Sequence, residues 1–164
     1  MALFTPRKRT DFIVVHTTAT PEGRDLDVKA IDRMHRDRGF TGIGYHFIIK
    51  LDGTVQLGRP QEMVGAHVEG HNSNSVALSY IGGVTAEGKA KDTRTPAQVV
   101  AMTDLIRDLM KEYPNATVLG HRDFPKVRKD CPCFDVRTWW VKAVPALASR
   151  VAPIMPGSFF NPKG

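Results

Sequence analysis

No stretch of this chain is long and apolar enough to span a bilayer. It also lacks a leader: Met1–Phe4 is apolar, but Pro6–Arg9 follows at once and leaves no hydrophobic segment of the kind a secretory signal needs. Cysteine is scarce. The two present, Cys131 and Cys133, are separated by one residue and would close only a tiny, strained loop as a disulfide, so a reduced, cytosolic protein is expected. Acidic residues are in deficit, 17 against 23 Lys and Arg, and the net charge of +6 would attract a polyanion, whether nucleic acid, anionic membrane or an acidic cell-wall polymer. Basic residues are scattered except at 7–9 and 122–129, and there is no arginine-aromatic RNA module and no helix-turn-helix, so direct nucleic-acid binding is not expected. Internal repeats and linkers are absent too. At 164 residues the chain fits one domain, with a core at about 11–148 and a tail at 149–164.

What is present centres on Gly120–Asp135, GHRDFPKVRKDCPCFD. One imidazole (His121), two thiols and four cationic side chains make a mixture that a plain surface loop does not need. His121 and Cys131 are too far apart to be a one-turn helix pair, so they could share a metal only if the loop folds back on itself. Pro125 and Pro132 favour such a bend, because each fixes its own φ and biases the residue before it away from helix. Thiolate with imidazole suits tetrahedral zinc, and a third ligand must then come from elsewhere.

The segment DFIVVHT, residues 11–17, is an apolar β-branched run that delivers His16 at the end of a buried strand, where it is placed to be that ligand. Residues 27–38 carry Val28, Ile31 and Met34 on one face and stop at Gly39, predicting an amphipathic helix on which His35 is a boundary residue without chemistry. Residues 42–58 predict a β-hairpin turning at Asp52-Gly53, whose two-residue period sends Tyr45 and His46 to opposite faces. Residues 61–74 read as a surface loop, and spacing alone favours solvated positions for His67 and His71. SVALSYI, residues 75–81, predicts another strand, and residues 84–94 a mobile polar loop.

Thr95, Pro96 and Gln98 form a capping-box start for a helix to Tyr113 with Val99, Met102, Ile106, Leu109 and Met110 as its stripe. A short strand at 117–120 places His121 at its end, and Asp135 caps a last helix that Pro145 is expected to bend or end. The residues beyond it are rich in Pro and Gly and predict an extended tail. Interleaved strands and helices imply an α/β fold: a single layer of mixed β-sheet, about five strands, flanked by about three helices.

Taken in order, the strand-borne His16, the segment GYHFIIKLDG, then GAHVEGHNSNS, GHRD and KDCPCFD resemble the zinc-dependent N-acetylmuramoyl-L-alanine amidases of type 2, in particular the small single-domain phage lysozymes of amidase type. The peptidoglycan recognition proteins share that fold, and some of them lack the zinc cysteine and merely bind. The resemblance runs from about residue 11 to about residue 141. It implies Zn²⁺ as cofactor with His16, His121 and Cys131 as ligands, Tyr45 and Lys129 as the catalytic pair, and His67 lining the substrate cleft. Cys133 departs from the pattern, which more usually has a small residue such as Gly or Ser there.

A catalytic zinc bound by three protein ligands polarises a carbonyl and activates water near neutral pH. Lys129 would then stabilise the oxyanion, and Tyr45, its phenol pKa lowered near the metal, would orient or exchange protons with the attacking water. A zinc peptidase is the nearest chemical competitor, but no HExxH helix is present. The implied activity is hydrolysis of the amide joining N-acetylmuramic acid to L-alanine in peptidoglycan, by an endolysin held in the host cytoplasm until lysis. Alternatives are a non-catalytic peptidoglycan-binding module, or an amidase that also binds and inhibits the phage RNA polymerase; a monomer is expected.

Overall fold

A computed structural model describes the backbone of residues 3–149 and the side chains of residues 3–144. Apart from Ser149, the tail expected from the sequence lies outside the described residues. The elements, in chain order, are β1 (Phe12–Thr17), β2 (Thr20–Pro21), α1 (Val28–Asp37), β3 (Phe47–Ile49), β4 (Val55–Leu57), β5 (Ser75–Tyr80), β6 (Gly83–Val84), α2 (Pro96–Glu112), β7 (Thr117–Gly120) and α3 (Val136–Ser149). Five strands form one sheet in the order β4-β3-β5-β1-β7. β5 pairs parallel with both β1 and β3, and β1 pairs parallel with β7. Only the hairpin strand β4 runs antiparallel, so the sheet is mixed and is flanked by three helices, as the sequence implies.

Alternation along β1 sorts the two faces. Ile13 and Val15 point into the larger core with Phe47, Ile49, Val76, Leu78 and Tyr80, which α2 covers with Met102, Leu105, Ile106 and Leu109. Val136 at the start of α3 joins the same core. Val14 points the other way, into a small cluster with Val68, Leu119 and Phe124. α1 covers the rest of that second face through Ile31, packed with Ile43, Ile48 and Ile81. Among the described residues, one face therefore carries two helices and the other α1 and loops. His16, two residues beyond Val14 on a strand of period two, emerges on the thinly covered face.

The helix starts follow their sequence signals. Thr95 accepts from the Gln98 N–H while the Gln98 side chain accepts from the Thr95 N–H, satisfying two donors that a helix start leaves open. Asp27 caps α1 by accepting from the Ala30 N–H, and Asp135 caps α3 by accepting from the Thr138 N–H.

Three expectations change. His35 is buried rather than a boundary residue: it follows Ile31 by one helical turn, and its Nδ1 accepts from the Gly44 N–H. Residues 84–94 are tied down, because Gly83–Val84 pairs with Thr20–Pro21 and Val84 bridges to Ala90. The Gly83 N–H donates to Thr93 Oγ1 at 2.7 Å and Lys91 pairs with Glu22 at 2.8 Å, so polar partners replace the apolar contacts whose scarcity suggested mobility. Of the bend or end expected at Pro145, the end is not found: α3 continues to Ser149, and the carbonyl that a proline there frees belongs to Val141, a solvent-facing residue, where water can satisfy it.

Candidate metal centre

The parallel pairing of β1 with β7 ends with Val15 opposite Gly120, so His16 and His121 stand side by side one residue further on. Their rings lie 4.6 Å apart between centroids. Both leave the carboxyl ends of neighbouring parallel strands, the usual place for ligands on such sheets. His16 is buried and His121 half-buried, so the pair sits at a boundary that solvent can reach from one side.

The segment after β7 folds back as expected. Arg122 N–H donates to the Cys131 carbonyl at 2.9 Å, Gly120 N–H to Asp123 Oδ2 at 2.8 Å, and the Tyr80 hydroxyl to the Pro132 carbonyl at 2.7 Å. This brings Cys131 to the end of β1, where its Sγ accepts from the Thr17 N–H at 3.3 Å. Sγ lies 3.7 Å from His16 Nδ1. One ligand atom from each of His16, His121 and Cys131 falls within 4.8 Å of the other two. Ordinary zinc–nitrogen and zinc–sulfur bonds at a tetrahedral angle separate N from S by about 3.6 Å, so the observed spacing fits zinc.

The electrostatics suit a metal better than a buried charge. Burial first, and then the neighbouring His67 and His121, hold His16 well below the usual imidazole range, and burial together with Lys129 lowers His121. Both imidazoles are therefore neutral at pH 7, with lone pairs to give. Burial pushes the Cys131 thiol up to about 12, against the opposing pull of the Thr17 N–H and of Lys129. Such a thiol becomes a thiolate only when a cation arrives to replace its proton.

Tyr45 packs its ring 5.0 Å from that of His16 and 5.1 Å from that of His35. Its phenol is pushed up, by burial first and by Cys131 second. Tyr45 therefore keeps its O–H as a donor. His46, on the alternate side of the strand, is bound to backbone instead: Nδ1 accepts from the Ala77 N–H at 3.0 Å and Nε2 donates to the Met63 carbonyl at 2.8 Å. Lys129 is exposed, yet its charge lowers both His121 and Cys131, so it lies within electrostatic reach of the site.

The solvated position that spacing favoured for His67 is not what the fold gives. His67 is half-buried, and Nδ1 lies 2.9 Å from His16 Nε2 while Nε2 lies 3.0 Å from Ser75 Oγ. His71 packs between Phe12 and Phe124 rather than standing in solvent. The loop reaches the sheet because Gly44 lacks a side chain: a Cβ there would run into the Ala66 carbonyl.

The profile of the N-acetylmuramoyl-L-alanine amidase family matches residues 6–134, which include every residue of this centre. The chain belongs to that family. It is 42% identical over 139 residues to the endolysin of Klebsiella phage KP32 and 39% identical over 139 residues to that of Escherichia phage T7, each match covering 85% of this chain and 91% of the relative. Among solved structures, the N-acetylmuramoyl-L-alanine amidase LysC from Clostridium intestinale superposes with a TM-score of 0.68 at 30% identity, covering 88% of this chain and 87% of that one.

In this amidase the unusual Cys133 stands apart from the three residues that could hold a metal. Its backbone is left-handed, φ +72°, a conformation glycine adopts without steric cost, which accounts for the small residue more usual at this point of the family pattern. Its thiol donates to the Gly83 carbonyl at 3.3 Å. Thr17, through its backbone N–H, and Ser75, through its hydroxyl, carry no motif of their own: Thr17 ends β1 directly after His16, and Ser75 opens β5 opposite Phe12, where the His67 ring reaches it.

Proposed function

We propose that this chain is a phage endolysin that hydrolyses the amide between the lactyl group of N-acetylmuramic acid and L-alanine in peptidoglycan, with His16, His121 and Cys131 holding a zinc ion. The observation that carries the proposal is the 3.7 Å spacing of Cys131 Sγ and His16 Nδ1 beside the neighbouring imidazole of His121. An amide resists hydrolysis because its carbonyl is resonance-stabilised and its amine leaves poorly; a bound zinc ion supplies Lewis acidity at the carbonyl and lowers the pKa of water.

The side chains divide the remaining work. Two neutral imidazoles and one thiolate would leave a zinc-loaded centre a single formal positive charge, and the Lys129 ammonium would add a second cation where negative charge develops on the carbonyl oxygen. Tyr45, protonated and packed on His16, offers a hydroxyl that orients water or donates to the reacting groups. Among the described residues this sheet face is covered by α1 and loops, which leaves room for a polymeric substrate to approach. Synthesis in the host cytoplasm and release to the wall at lysis follow from the same reading, and the net charge of +6 suits an anionic wall.

A non-catalytic binding module is the alternative, and the intact trio with Tyr45 beside it argues against one. Mass spectrometry of digested peptidoglycan decides: free stem peptides with intact glycan strands are expected. Cys131→Ala should lose both bound zinc and lysis of exposed wall, and full lysis by that variant would reject the assignment.

A further inference from the structure

His67 has no free ring nitrogen to offer a substrate, because both are engaged inside the fold. Ser75 settles the direction of those bonds. Its hydroxyl is fully buried and has one proton, which goes to the His71 carbonyl at 2.7 Å, since a carbonyl can only accept. The Ser75 oxygen must therefore accept from His67 Nε2–H at 3.0 Å. A neutral His67 protonated on Nε2 has its lone pair on Nδ1, and that lone pair faces His16 Nε2 at 2.9 Å. His16 must then carry its proton on Nε2, leaving the Nδ1 lone pair directed to the side where Cys131 Sγ lies.

The same polarity is obtained from the other end. A metal on His16 Nδ1 makes Nε2–H an obligatory donor, and His67 Nδ1 is the acceptor it meets. The serine proton at one end and, at the other, the Nδ1 lone pair that a metal would take call for the same arrangement.

We infer that His67 is a positioning residue for the metal centre: the chain His16 Nε2–H to His67 Nδ1, His67 Nε2–H to Ser75, Ser75 O–H to the His71 carbonyl fixes the tautomer and the ring angle of His16. The surroundings hold His67 where this requires. Asn72 Oδ1 accepts from the backbone N–H of both His67 and Val68 at 2.8 and 2.9 Å, fixing the loop from behind. A Cβ on Gly65 would press on the His67 ring at 2.6 Å and on that of His46 at 3.0 Å, so the imidazole is packed as well as bonded. Partners of this kind raise ligand basicity and hold ring orientation, and losing one typically weakens a metal 10- to 100-fold.

The inference rests on the reading of His16, His121 and Cys131 as zinc ligands, and zinc affinity of the full chain tests the two separately. Competition with a chromophoric chelator should find one zinc per wild-type chain, and affinity about 10- to 100-fold weaker in His67→Leu. His67→Asn, whose Oδ1 overlays Nδ1 as an acceptor, should recover most of the loss. Ser75→Ala should weaken zinc less than His67→Leu does. Long-range proton–nitrogen NMR of the zinc-loaded wild type should show His67 protonated on Nε2 alone. No zinc in the wild type would overturn both readings. Zinc in the wild type with unchanged affinity in His67→Leu, or a His67 protonated on Nδ1, would overturn this inference and leave the metal site standing. Should His67→Leu fail to fold, the NMR assignment on the wild type still decides.

Discussion

His46 makes the protein sensitive to acid. Its Nδ1 accepts from the Ala77 N–H and its Nε2 donates to the Met63 carbonyl, so both nitrogens are committed to the neutral ring. Protonating Nδ1 would set one N–H against another in a site only 1% exposed. Burial, the dominant cause, brings its pKa down to about 4, with Arg7 and Arg59 adding to the effect and the bond to Met63 opposing it. The unfolded chain takes up a proton near pH 6.5 that the folded chain refuses until about 4, so the stabilising contribution is complete above 6.5 and is lost as pH falls through that window. Linkage gives a loss of about 1.4 kcal/mol at pH 5.5 and about 2.5 kcal/mol at pH 4.5 from this residue alone. The assay is urea unfolding at pH 7.5, 5.5 and 4.5 for the wild type and for His46→Gln, each without added metal. The variant begins less stable at pH 7.5, but its stability should fall with acid by about 2.5 kcal/mol less than that of the wild type. Buried groups that do not couple to His46 cancel in the comparison, while His16 and His67 keep their dominant lowering by burial and lose only the smaller part that His46 adds. Parallel stability curves in the two proteins would refute the reasoning.

Tyr45→Phe should keep one zinc per chain and lose about a hundredfold or more in kcat, measured on purified peptidoglycan, because it removes a hydroxyl and leaves the ring packing on His16 in place. Cys133→Gly should retain zinc and change stability by no more than about 1 kcal/mol in urea unfolding, relief of the left-handed backbone being offset by the entropy of glycine and the loss of one weak thiol bond; loss of zinc would make Cys133 a ligand. Ile106→Ala, at the centre of the α2 contact with the sheet and fully buried, should cost about 2–5 kcal/mol with the metal site intact, read from unfolding and zinc content together.

Elements with a strong period were legible from the sequence. The capping box at Thr95, the hairpin turn at Asp52-Gly53 and the β-branched run of β1 each contain enough local signal to specify themselves. His35 was legible in principle and was misread: Ile31 and His35 are four residues apart on one helix face, so a buried Ile31 should have carried the histidine inward. The place of residues 61–74 was not legible, since it depends on the missing Cβ of Gly44 and on the Asn72 side chain, whose effects exist only once loop and sheet have met. Pro145 does not end α3, because the carbonyl it leaves without a donor faces water.

The convergence of His16, His121 and Cys131 was legible in the lettering of this chain, while the bonds that support it were not. Each histidine ends an apolar strand, and parallel neighbours bring equivalent ends to one edge; given β1 beside β7, the one-step offset from Val15 opposite Gly120 places the two imidazoles together with no further choice. Cys131 needs only a loop closed by a few backbone bonds. The polarity of the His16 ring depends instead on a proton on Ser75, passed through His67 from a loop with no periodicity. Strand register is a repeating property and leaves a trace along the sequence, whereas the direction of a single buried hydrogen bond is set by partners distant in the chain. A residue such as His67 therefore carries no local mark of its role, and its role appears only when the bonds around it are followed proton by proton.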